Sequence, residues 1–460
     1  MRGDKEIQRF DVVIIGGGPG GMNAGFMLSQ AGKSVAMIQE EQDCFGGVCL
    51  NRGCMPTKSM LKAAKAYRYA QQAAHYGLDL AVKPVDLARV RSVAEQDIAM
   101  LGGMVAGMIG QAKIASFRGQ GSFRSEHEVA ISKSDGSSEV IYGEQIIVAT
   151  GSKPVELPMA PFDGQHILSS DQLLRNTELP ETMLIIGGGA VGCEFATLYN
   201  TFGSRVILVE ALETLLPRED REAGQALQGA FEKEGIEVKT RTRIDRLEMA
   251  NGKVRVHYAG SEVTDTVDKV LVGIGRQPNT EGLNLTSAGV KTEKGAIVVN
   301  SRLQTSVPHI YALGDVIGGL SLAHAAEKQA HLLAMNLLRG TACSLQEETV
   351  PRVAFSHPEV AAVGVRETGA GIRSFTLSQV PNGRSVVDKV SPAFVKLFIK
   401  EESSRLAGAI IIGEAATEMI HEMALAVENG LTLAQVGNTV HVHPSHSKNI
   451  LQAVHQAQSA

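Results

Sequence analysis

The chain has 460 residues, of which 44% are hydrophobic, so it can form several domains with buried cores. Its 44 Lys and Arg residues are outnumbered by 49 Asp and Glu residues, which argues against nucleic acid as a partner. The longest apolar stretch, 100–109, contains glycines and is too short to cross a membrane, and no apolar segment follows the N-terminal charges as in a signal peptide. We therefore expect a cytoplasmic protein whose five cysteines are catalytic or free.

The first predicted unit is a strand, a glycine turn, a helix and a second strand. The apolar run 11–15 is typical of a strand buried on both faces, and 35–38 is a second such run. Between them lies the pattern Gly16-x-Gly18-x-x-Gly21. In this pattern the first glycine forms the tight turn, the second admits a pyrophosphate and the third lets the helix pack on the strand. The unit therefore predicts a dinucleotide site.

A second copy of this unit follows the apolar strand 183–186. It contains Gly187-x-Gly189-x-x-Gly192, and Glu210 stands at the end of its next strand. A carboxylate there accepts hydrogen bonds from the ribose hydroxyls and repels a 2′-phosphate, which favours NAD over NADP.

The first copy has no acidic residue at the equivalent position. Gln39 stands there, and a slip of one residue would present Glu40 instead. Two dinucleotide sites in one chain indicate a tightly held flavin dinucleotide and an exchangeable nicotinamide.

The regions outside the two units are predicted more coarsely. A long helical stretch covers 60–115, and a β-rich segment ends at 146–151. The last part, from about residue 350, mixes strands with helices, one of which is predicted over 417–428.

Cys49 and Cys54 are five residues apart. In a regular helix that spacing separates two residues by ~7.5 Å along the axis, whereas a disulfide needs Cα atoms within about 6.8 Å. The two cysteines can pair only if the chain bends, and Gly53 permits a bend. The spacing alone leaves open a pair of unlinked thiols.

The segment 46–58, GGVCLNRGCMPTK, resembles the active-site signature of the flavin-dependent pyridine nucleotide–disulfide oxidoreductases. The resemblance is strongest to the branch that oxidises dihydrolipoamide and covers nearly the whole chain. It is carried by the segments 149–152, 186–194, 275–280, 313–316 and 443–445.

The resemblance implies an α/β fold with two Rossmann-like dinucleotide-binding domains, for FAD and NAD, and a C-terminal α+β dimerisation domain. The expected boundaries are 1–153 and 275–347 for the two parts of the FAD and central domain, 154–274 for the NAD domain and 348–460 for the dimerisation domain. A homodimer is expected, with a lipoyl-bearing carrier protein or a small dithiol as its substrate and no membrane partner.

The resemblance also implies roles for single residues. Cys54 would be the thiolate beside the flavin, and Cys49 would exchange with the dithiol substrate. Lys58 would lie near the flavin and pair with Glu194, while His443 would move protons in the active site of the other subunit. The implied cofactor-binding residues are Gly16, Gly18, Gly21, Gln39, Glu40, Gly47, Lys58, Thr150, Gly151, Asp315 and Ala323 for FAD, with Asp315 on the ribitol, and Gly187, Gly189, Gly192, Glu210 and Gly275 for NAD.

Three histidines near the C-terminus, at 441, 443 and 446, suggest a metal site, but Pro444 interrupts them and no cysteine or carboxylate lies nearby in the sequence. We therefore predict no metal. The family normally has a glutamate five residues after His443, where this chain has Lys448. This departure keeps two alternatives open, an NADH-dependent reductase of another small disulfide and a catalytically impaired flavoprotein subunit of a larger complex.

The other cysteines are predicted to have no catalytic role. Cys44 is interpreted as a bystander in the loop before Cys49. Cys193 is expected to be a small buried hydrophobic residue, and Cys343 a surface thiol.

Overall fold

The computed structural model describes residues 7–40, 44–378 and 380–459. Residues 1–6, on which the signal-peptide prediction partly rests, lie outside the described residues. The α-helices in the described ranges are α1 (Pro19–Gln30), α2 (Gly47–Arg52), α3 (Cys54–Gln71), α4 (Leu87–Gln111), α5 (Ser170–Leu173), α6 (Ala190–Phe202), α7 (Arg221–Lys233), α8 (Ala323–Arg339), α9 (Gly383–Asp388), α10 (Ala416–Glu428), α11 (Leu433–Gly437) and α12 (Lys448–Ser459). Of the described helices, none is both long enough and apolar enough to span a bilayer.

The strands of the same ranges are short and mostly apolar. They are β1 (Gln8–Ile15), β2 (Val35–Gln39), β3 (Ala115–Arg118), β4 (Gln120–Phe123), β5 (Glu128–Ser132), β6 (Ser138–Val148), β7 (Ser152–Pro154), β8 (Ile167–Leu168), β9 (Thr182–Ile186), β10 (Arg205–Val209), β11 (Glu237–Lys239), β12 (Ile244–Ala250), β13 (Lys253–Tyr258), β14 (Thr264–Val267), β15 (Lys269–Val272), β16 (Arg276–Pro278), β17 (Thr292–Glu293), β18 (Ala296–Ile297), β19 (Ile310–Ala312), β20 (Arg352–Ala354), β21 (Glu359–Gly364), β22 (Ile372–Leu377), β23 (Phe394–Lys400) and β24 (Leu406–Gly413).

The first of two compact units comprises the described residues up to 59, with 92–155 and 276–347. Its main sheet has the order β3-β2-β1-β6-β5-β4, and β19 also pairs with β6. Strands β1, β2, β3, β6 and β19 pair in parallel, and their apolar residues are buried because the sheet is covered on both faces. Helix α1, which follows the first glycine turn, packs against α8.

The second unit comprises 60–91, 156–275 and 348–460. It contains a fully parallel sheet of order β11-β10-β9-β15-β8, the predicted second Rossmann-like sheet. It also contains an antiparallel sheet of order β20-β21-β24-β23-β22, which shares one hydrophobic core with α10 and α12. This division does not test the four predicted domain boundaries, which stay a prediction.

The predicted helical stretch 60–115 was wrong as one element. Helix α3 ends at Gln71, α4 begins at Leu87, and β3 already includes Ala115. Between the helices, Gly77 adopts a left-handed conformation with φ of 74°, and Pro84 cannot donate a helical hydrogen bond. The glycine and the proline therefore separate two helices that composition alone merges.

Candidate active site and dinucleotide sites

The two signature cysteines lie on either side of a break between two helices. Cys49 is on α2, α2 ends at Gly53, and Cys54 begins α3. Gly53 has φ of −143° and ψ of −110°, and a Cβ added there would lie 2.9 Å from the carbonyl oxygen of Val48. The predicted bend at Gly53 is thus present. It brings the half-buried thiols of Cys49 and Cys54 within hydrogen-bonding distance of each other.

The surroundings of the thiol pair make its two sulfurs unequal. The hydrogen bond to Cys54 raises the pKa of the Cys49 thiol far above its usual range, and burial of the sulfur adds to this shift. The negative charge of Glu327 raises the Cys49 pKa further, whereas the positive charge of Lys58 lowers it. Taken together, these effects favour the protonated form of the Cys49 thiol.

Two residues that the sequence analysis gave no role support this segment. Glu327, on α8, acts on Cys49 through its charge, and no motif around it signals that role. The side chain of Asn51 accepts a hydrogen bond from the Cys44 amide at 3.0 Å and donates to the carbonyl oxygens of Cys44 and Gly47, each at 2.8 Å. Asn51 thus fixes the loop that precedes Cys49.

The remaining cysteines lie where they were predicted to be or close to it. Cys193 is fully buried, and burial raises the pKa of its thiol strongly, so it acts as a small hydrophobic residue. Cys343 is exposed, as predicted, and Cys44 is exposed in its loop.

The first glycine turn holds Gln39 in the position predicted for the ribose-binding side chain. Gln39 is buried, and its Oε1 accepts a hydrogen bond from the Gly17 amide at 3.0 Å. The structure does not show the slip that would present Glu40 in this position: the Glu40 carboxylate lies 3.6 Å from Arg52 and its side chain is 45% exposed. One side-chain amide therefore stands where the second copy has a carboxylate. A contact of Glu40 with the cofactor stays a prediction.

The second glycine turn repeats this geometry with Glu210. The Glu210 carboxylate accepts from the Gly188 amide at 2.7 Å with Oε2 and from the Leu212 amide at 2.7 Å with Oε1. In both copies the glycine amide and the side-chain acceptor are 22 residues apart, and the first glycines, Gly16 and Gly187, share a φ of 110°. The predicted duplication is thus present down to single hydrogen bonds.

Both turns leave room for a phosphate at a helix N-terminus. A Cβ on Gly18 would meet only the Cα of Gly47, at 4.0 Å, and a Cβ on Gly189 would meet nothing within 4 Å. No side chain caps α1 or α6, so their first amides and the positive ends of their dipoles are available to an anion. At the third glycines, by contrast, a Cβ would clash with the backbone: Gly21 with Gly16, and Gly192 with Gly187. The two turns fit the pyrophosphates of FAD and NAD.

A network in the first unit connects the segments that the resemblance assigns to FAD. The Asp315 carboxylate accepts from the Ser152 hydroxyl at 2.5 Å, and that hydroxyl accepts from Arg276 Nε at 2.8 Å. Thr150 donates to the carbonyl oxygen of Asn279 at 2.7 Å. Asp315 and Thr150 are predicted FAD contacts, whereas Ser152 and Arg276, which also stand inside the matching segments, were assigned no role.

The other predicted FAD contacts are also available to a ligand. Helix α8 begins at Ala323 without a side-chain cap, so its first amides can donate to one. Gly151, which is also a predicted FAD contact, has a positive φ of 71°, and Gly275, a predicted NAD contact, has a positive φ of 128°.

Lys58 and Glu194 belong to different compact units, and their predicted pairing stays a prediction. The Glu194 side chain is buried on α6, and its Oε1 accepts a hydrogen bond from the Phe355 amide at 3.0 Å.

The histidine segment is held by two histidine–carboxylate contacts that flank His443. His441 Nε2 lies 2.9 Å from Oε1 of Glu422, and His446 Nε2 lies 3.0 Å from Oδ2 of Asp388. His443 itself is exposed. In the part of the chain that the structure describes, no group of three or more His, Cys, Asp or Glu side chains could hold a metal.

Two family models match most of the chain. Residues 10–330 match the pyridine nucleotide-disulphide oxidoreductases, and residues 350–454 match the dimerisation domain of the same proteins. The chain belongs to this family. Its fold class is therefore confirmed, and it is an FAD-dependent, NAD-linked disulfide oxidoreductase with a C-terminal dimerisation domain.

Individual relatives match over nearly their whole length. The chain is 34% identical over 451 residues to a dihydrolipoyl dehydrogenase of Bacillus subtilis (strain 168), a match that covers 96% of this chain and 97% of the relative. It is 36% identical to a dihydrolipoyl dehydrogenase of Thermus scotoductus, which covers 97% of each. Among solved structures, LpdA from Mycobacterium tuberculosis has a TM-score of 0.90 at 27% identity, covering 98% of this chain and 100% of LpdA. The HOCl-induced flavoprotein disulfide reductase RclA from Escherichia coli has a TM-score of 0.86 at 28% identity, covering 97% and 99%.

Proposed function

We propose that this enzyme oxidises a dihydrolipoamide-type dithiol, carried on a lipoyl-bearing protein, and passes the electrons to NAD. The observation that carries the proposal is the hydrogen-bonded pair of Cys49 and Cys54, which can close to a disulfide and reopen. The full-length similarity to dihydrolipoyl dehydrogenases supports this substrate class. Glu210, with its carboxylate at the end of β10, supports NAD rather than NADP as the acceptor.

In the proposed reaction the dithiol is oxidised by the Cys49–Cys54 disulfide. One substrate thiol releases its proton to solvent, and its thiolate attacks the Cys49 sulfur to form a mixed disulfide while Cys54 leaves as a thiolate. The second substrate thiol, after it loses its proton to His443, displaces Cys49 and closes the cyclic disulfide product. Cys49 then takes this proton from His443. The substrate loses two electrons and two protons, and the cysteine pair takes up the electrons. FAD, when bound, would supply the acceptor for this electron pair, with NAD as the final acceptor, while Cys49 and Cys54 return to the disulfide and Cys49 releases its proton.

The charges around the thiols suit this division of roles. The raised pKa of Cys49 favours a protonated thiol at that sulfur, which fits a thiolate at Cys54. A thiolate at Cys54 is the group that the family places against the flavin, and Cys49 is then the sulfur that exchanges with substrate.

We further propose a homodimer in which His443 serves the cysteines of the other subunit. Its support is the match of residues 350–454 to a dimerisation domain, together with the exposure of His443 in the single chain. We place the enzyme in the cytoplasm, where the three cysteines outside the redox pair, Cys44, Cys193 and Cys343, would stay reduced.

The test is an anaerobic titration of the purified, yellow protein. NADH should bleach the flavin, and lipoamide should restore the colour with one equivalent of dihydrolipoamide formed. Recovery with glutathione disulfide but not with lipoamide would overturn the substrate class and favour the reductase of another small disulfide. This second function, reduction of another small disulfide, is tested because Lys448 stands in place of the family's glutamate.

A further inference from the structure

We propose that His441 and Glu422 form a positioning pair that holds the loop carrying His443 in its working place. This inference rests on the proposed function of His443. Neither His441 nor Glu422 touches the thiols in the proposed reaction. Their effect on catalysis would come through the loop alone.

The loop around His443 has very little that holds it to the rest of the domain. In the described run from Asn438 to Pro444, every residue is exposed except His441. The side chain of His441 is only 4% exposed, whereas Val440 and Val442 on either side of it are 95% and 76% exposed. His441 is therefore the anchor of this run, two residues before His443.

The anchor is fixed by oxygen acceptors on both ring nitrogens. Nε2 of His441 lies 2.9 Å from the Glu422 carboxylate, and Nδ1 lies 2.9 Å from the carbonyl oxygen of Thr439. A carbonyl oxygen and a carboxylate only accept hydrogen bonds, so the ring nitrogen that carries a proton donates to the acceptor it faces.

Glu422, the partner of His441, is held in place by the packing of its helix. It lies on α10, whose buried face packs in the core of the C-terminal antiparallel sheet. The first turn of α10 is tied to β21, because the Glu359 carboxylate accepts from the Thr417 amide at 3.1 Å and from the Thr417 hydroxyl at 2.8 Å. On the far side of His443, the contact of His446 with Asp388 ties the loop to α9.

The Glu422 carboxylate bonds to His441, two residues before His443. The family's glutamate five residues after the catalytic histidine is replaced by Lys448, and Glu422 on α10 is the carboxylate that contacts the loop, at His441. The Oε1 atom of Glu422 is bonded to His441 and not to His443. Support of His443 is thereby indirect, through the backbone of residues 441–443.

The experiment compares Glu422→Ala, Glu422→Gln and the control Glu418→Ala in the FAD-loaded full chain. Glu418 is an exposed carboxylate one turn earlier on the same helix. Because a misplacement of about 1 Å can cost about 100-fold in rate, Glu422→Ala should lower kcat for dihydrolipoamide by about 10- to 100-fold. Its KM, its flavin content and its reduction by NADH should match the control. Glu422→Gln keeps an acceptor oxygen for His441 and should recover most of the loss.

A double variant separates positioning from general damage. If Glu422 acts only through His443, adding Glu422→Ala to His443→Ala should slow the enzyme no further, since coupled residues are not additive. Additive losses, or equal losses in Glu422→Ala and Glu418→Ala, would overturn the positioning role. If His443→Ala itself keeps full dihydrolipoamide turnover, the proposed role of His443 fails, and the positioning role fails with it. A loss in His443→Ala without a loss in Glu422→Ala would sink the positioning role alone.

Discussion

At the scale of single residues, the hydrogen bond between the two active-site thiols makes them different reagents. The pKa of Cys49 is raised by this hydrogen bond, by burial and by the negative charge of Glu327, so Cys49 favours its protonated form. We predict that Cys49→Ser and Cys54→Ser both abolish dithiol turnover and keep FAD. With Cys49 replaced, the Cys54 thiolate should give a long-wavelength absorbance band beside the flavin. With Cys54 replaced, the band should be absent. The same visible spectrum in both variants would contradict the assigned roles.

Lys448 is the residue in the histidine segment that departs from the family's pattern. Since Oε1 of Glu422 is bonded to His441, a carboxylate introduced by Lys448→Glu should orient the exposed His443 ring directly. We predict faster turnover of neutral lipoamide and slower turnover of anionic lipoate, because the charge that attracts the anion is reversed. Lys448→Gln, which only removes the charge, is the control and should lose lipoate turnover without gaining with lipoamide. Unchanged rates with both substrates would show that Lys448 contacts neither.

The residues that the sequence could not assign are those whose role depends on distant partners. Gln39 and Glu210 were predictable because each stands at a fixed spacing from its own glycine turn. Glu327 and Glu422 were not given these roles, because Glu327 reaches Cys49 and Glu422 reaches His441 only after the chain has folded. The choice between Gln39 and Glu40 also required the structure, which shows that Glu40 lies beside Arg52.

At the scale of elements, the two glycine turns are nearly the same structure used for two cofactors. Neither Gly18 nor Gly189 has a neighbour that a larger side chain would displace. A larger side chain at either position should therefore occupy only the space that a phosphate would fill. We predict that Gly18→Val yields folded protein without FAD. Gly189→Val should keep its FAD and raise the KM for NADH by about 10-fold or more, the loss expected for one blocked backbone phosphate contact. Flavin absorbance and NADH kinetics measure both, and each variant is the control for the other. Loss of FAD from Gly189→Val would contradict the assignment of the two sites.

Strands and helices differ in how well the sequence predicted them. Strands β1 and β9 were predictable because both consist of continuous apolar runs that end at a glycine turn. The helical stretch 60–115 was not resolved into its parts, because the residues on both sides of Gly77 and Pro84 favour helix and composition does not show a break. The helix break at Gly53 was expected only because the disulfide geometry demanded it.

At the scale of the whole molecule, a buried ion pair joins two of the predicted domains within the second unit. Asp220 caps α7 through the Glu222 amide, at 2.9 Å, and accepts from Lys396 on β23 at 2.9 Å, with both side chains less than 10% exposed. We predict that Asp220→Ala destabilises the protein by about 3 kcal/mol, because it leaves Lys396 buried with its main partner removed. Glu222→Ala removes the exposed second partner of Lys396 and should cost less than about 1 kcal/mol.

Denaturant unfolding at neutral pH measures both changes. The double variant Asp220→Ala/Lys396→Met should recover much of the loss, since it removes the stranded charge and fills its space with an apolar side chain. Equal destabilisation by Asp220→Ala and Glu222→Ala would show that burial of the pair does not decide its strength.

The proposed dimer predicts that two inactive variants restore activity when they form a mixed dimer. If His443 serves the cysteines of the other subunit, a dimer of one Cys49→Ser chain and one His443→Ala chain has one site with both lesions and one intact site. Each parent homodimer should lack dithiol turnover. Random reassortment makes half of the dimers mixed, each with one of two sites intact, so about a quarter of the wild-type activity should return. Mixing after mild dissociation, with the parents tagged differently, measures this. If the mixed dimers stay inactive although both tags co-purify, His443 acts within its own chain.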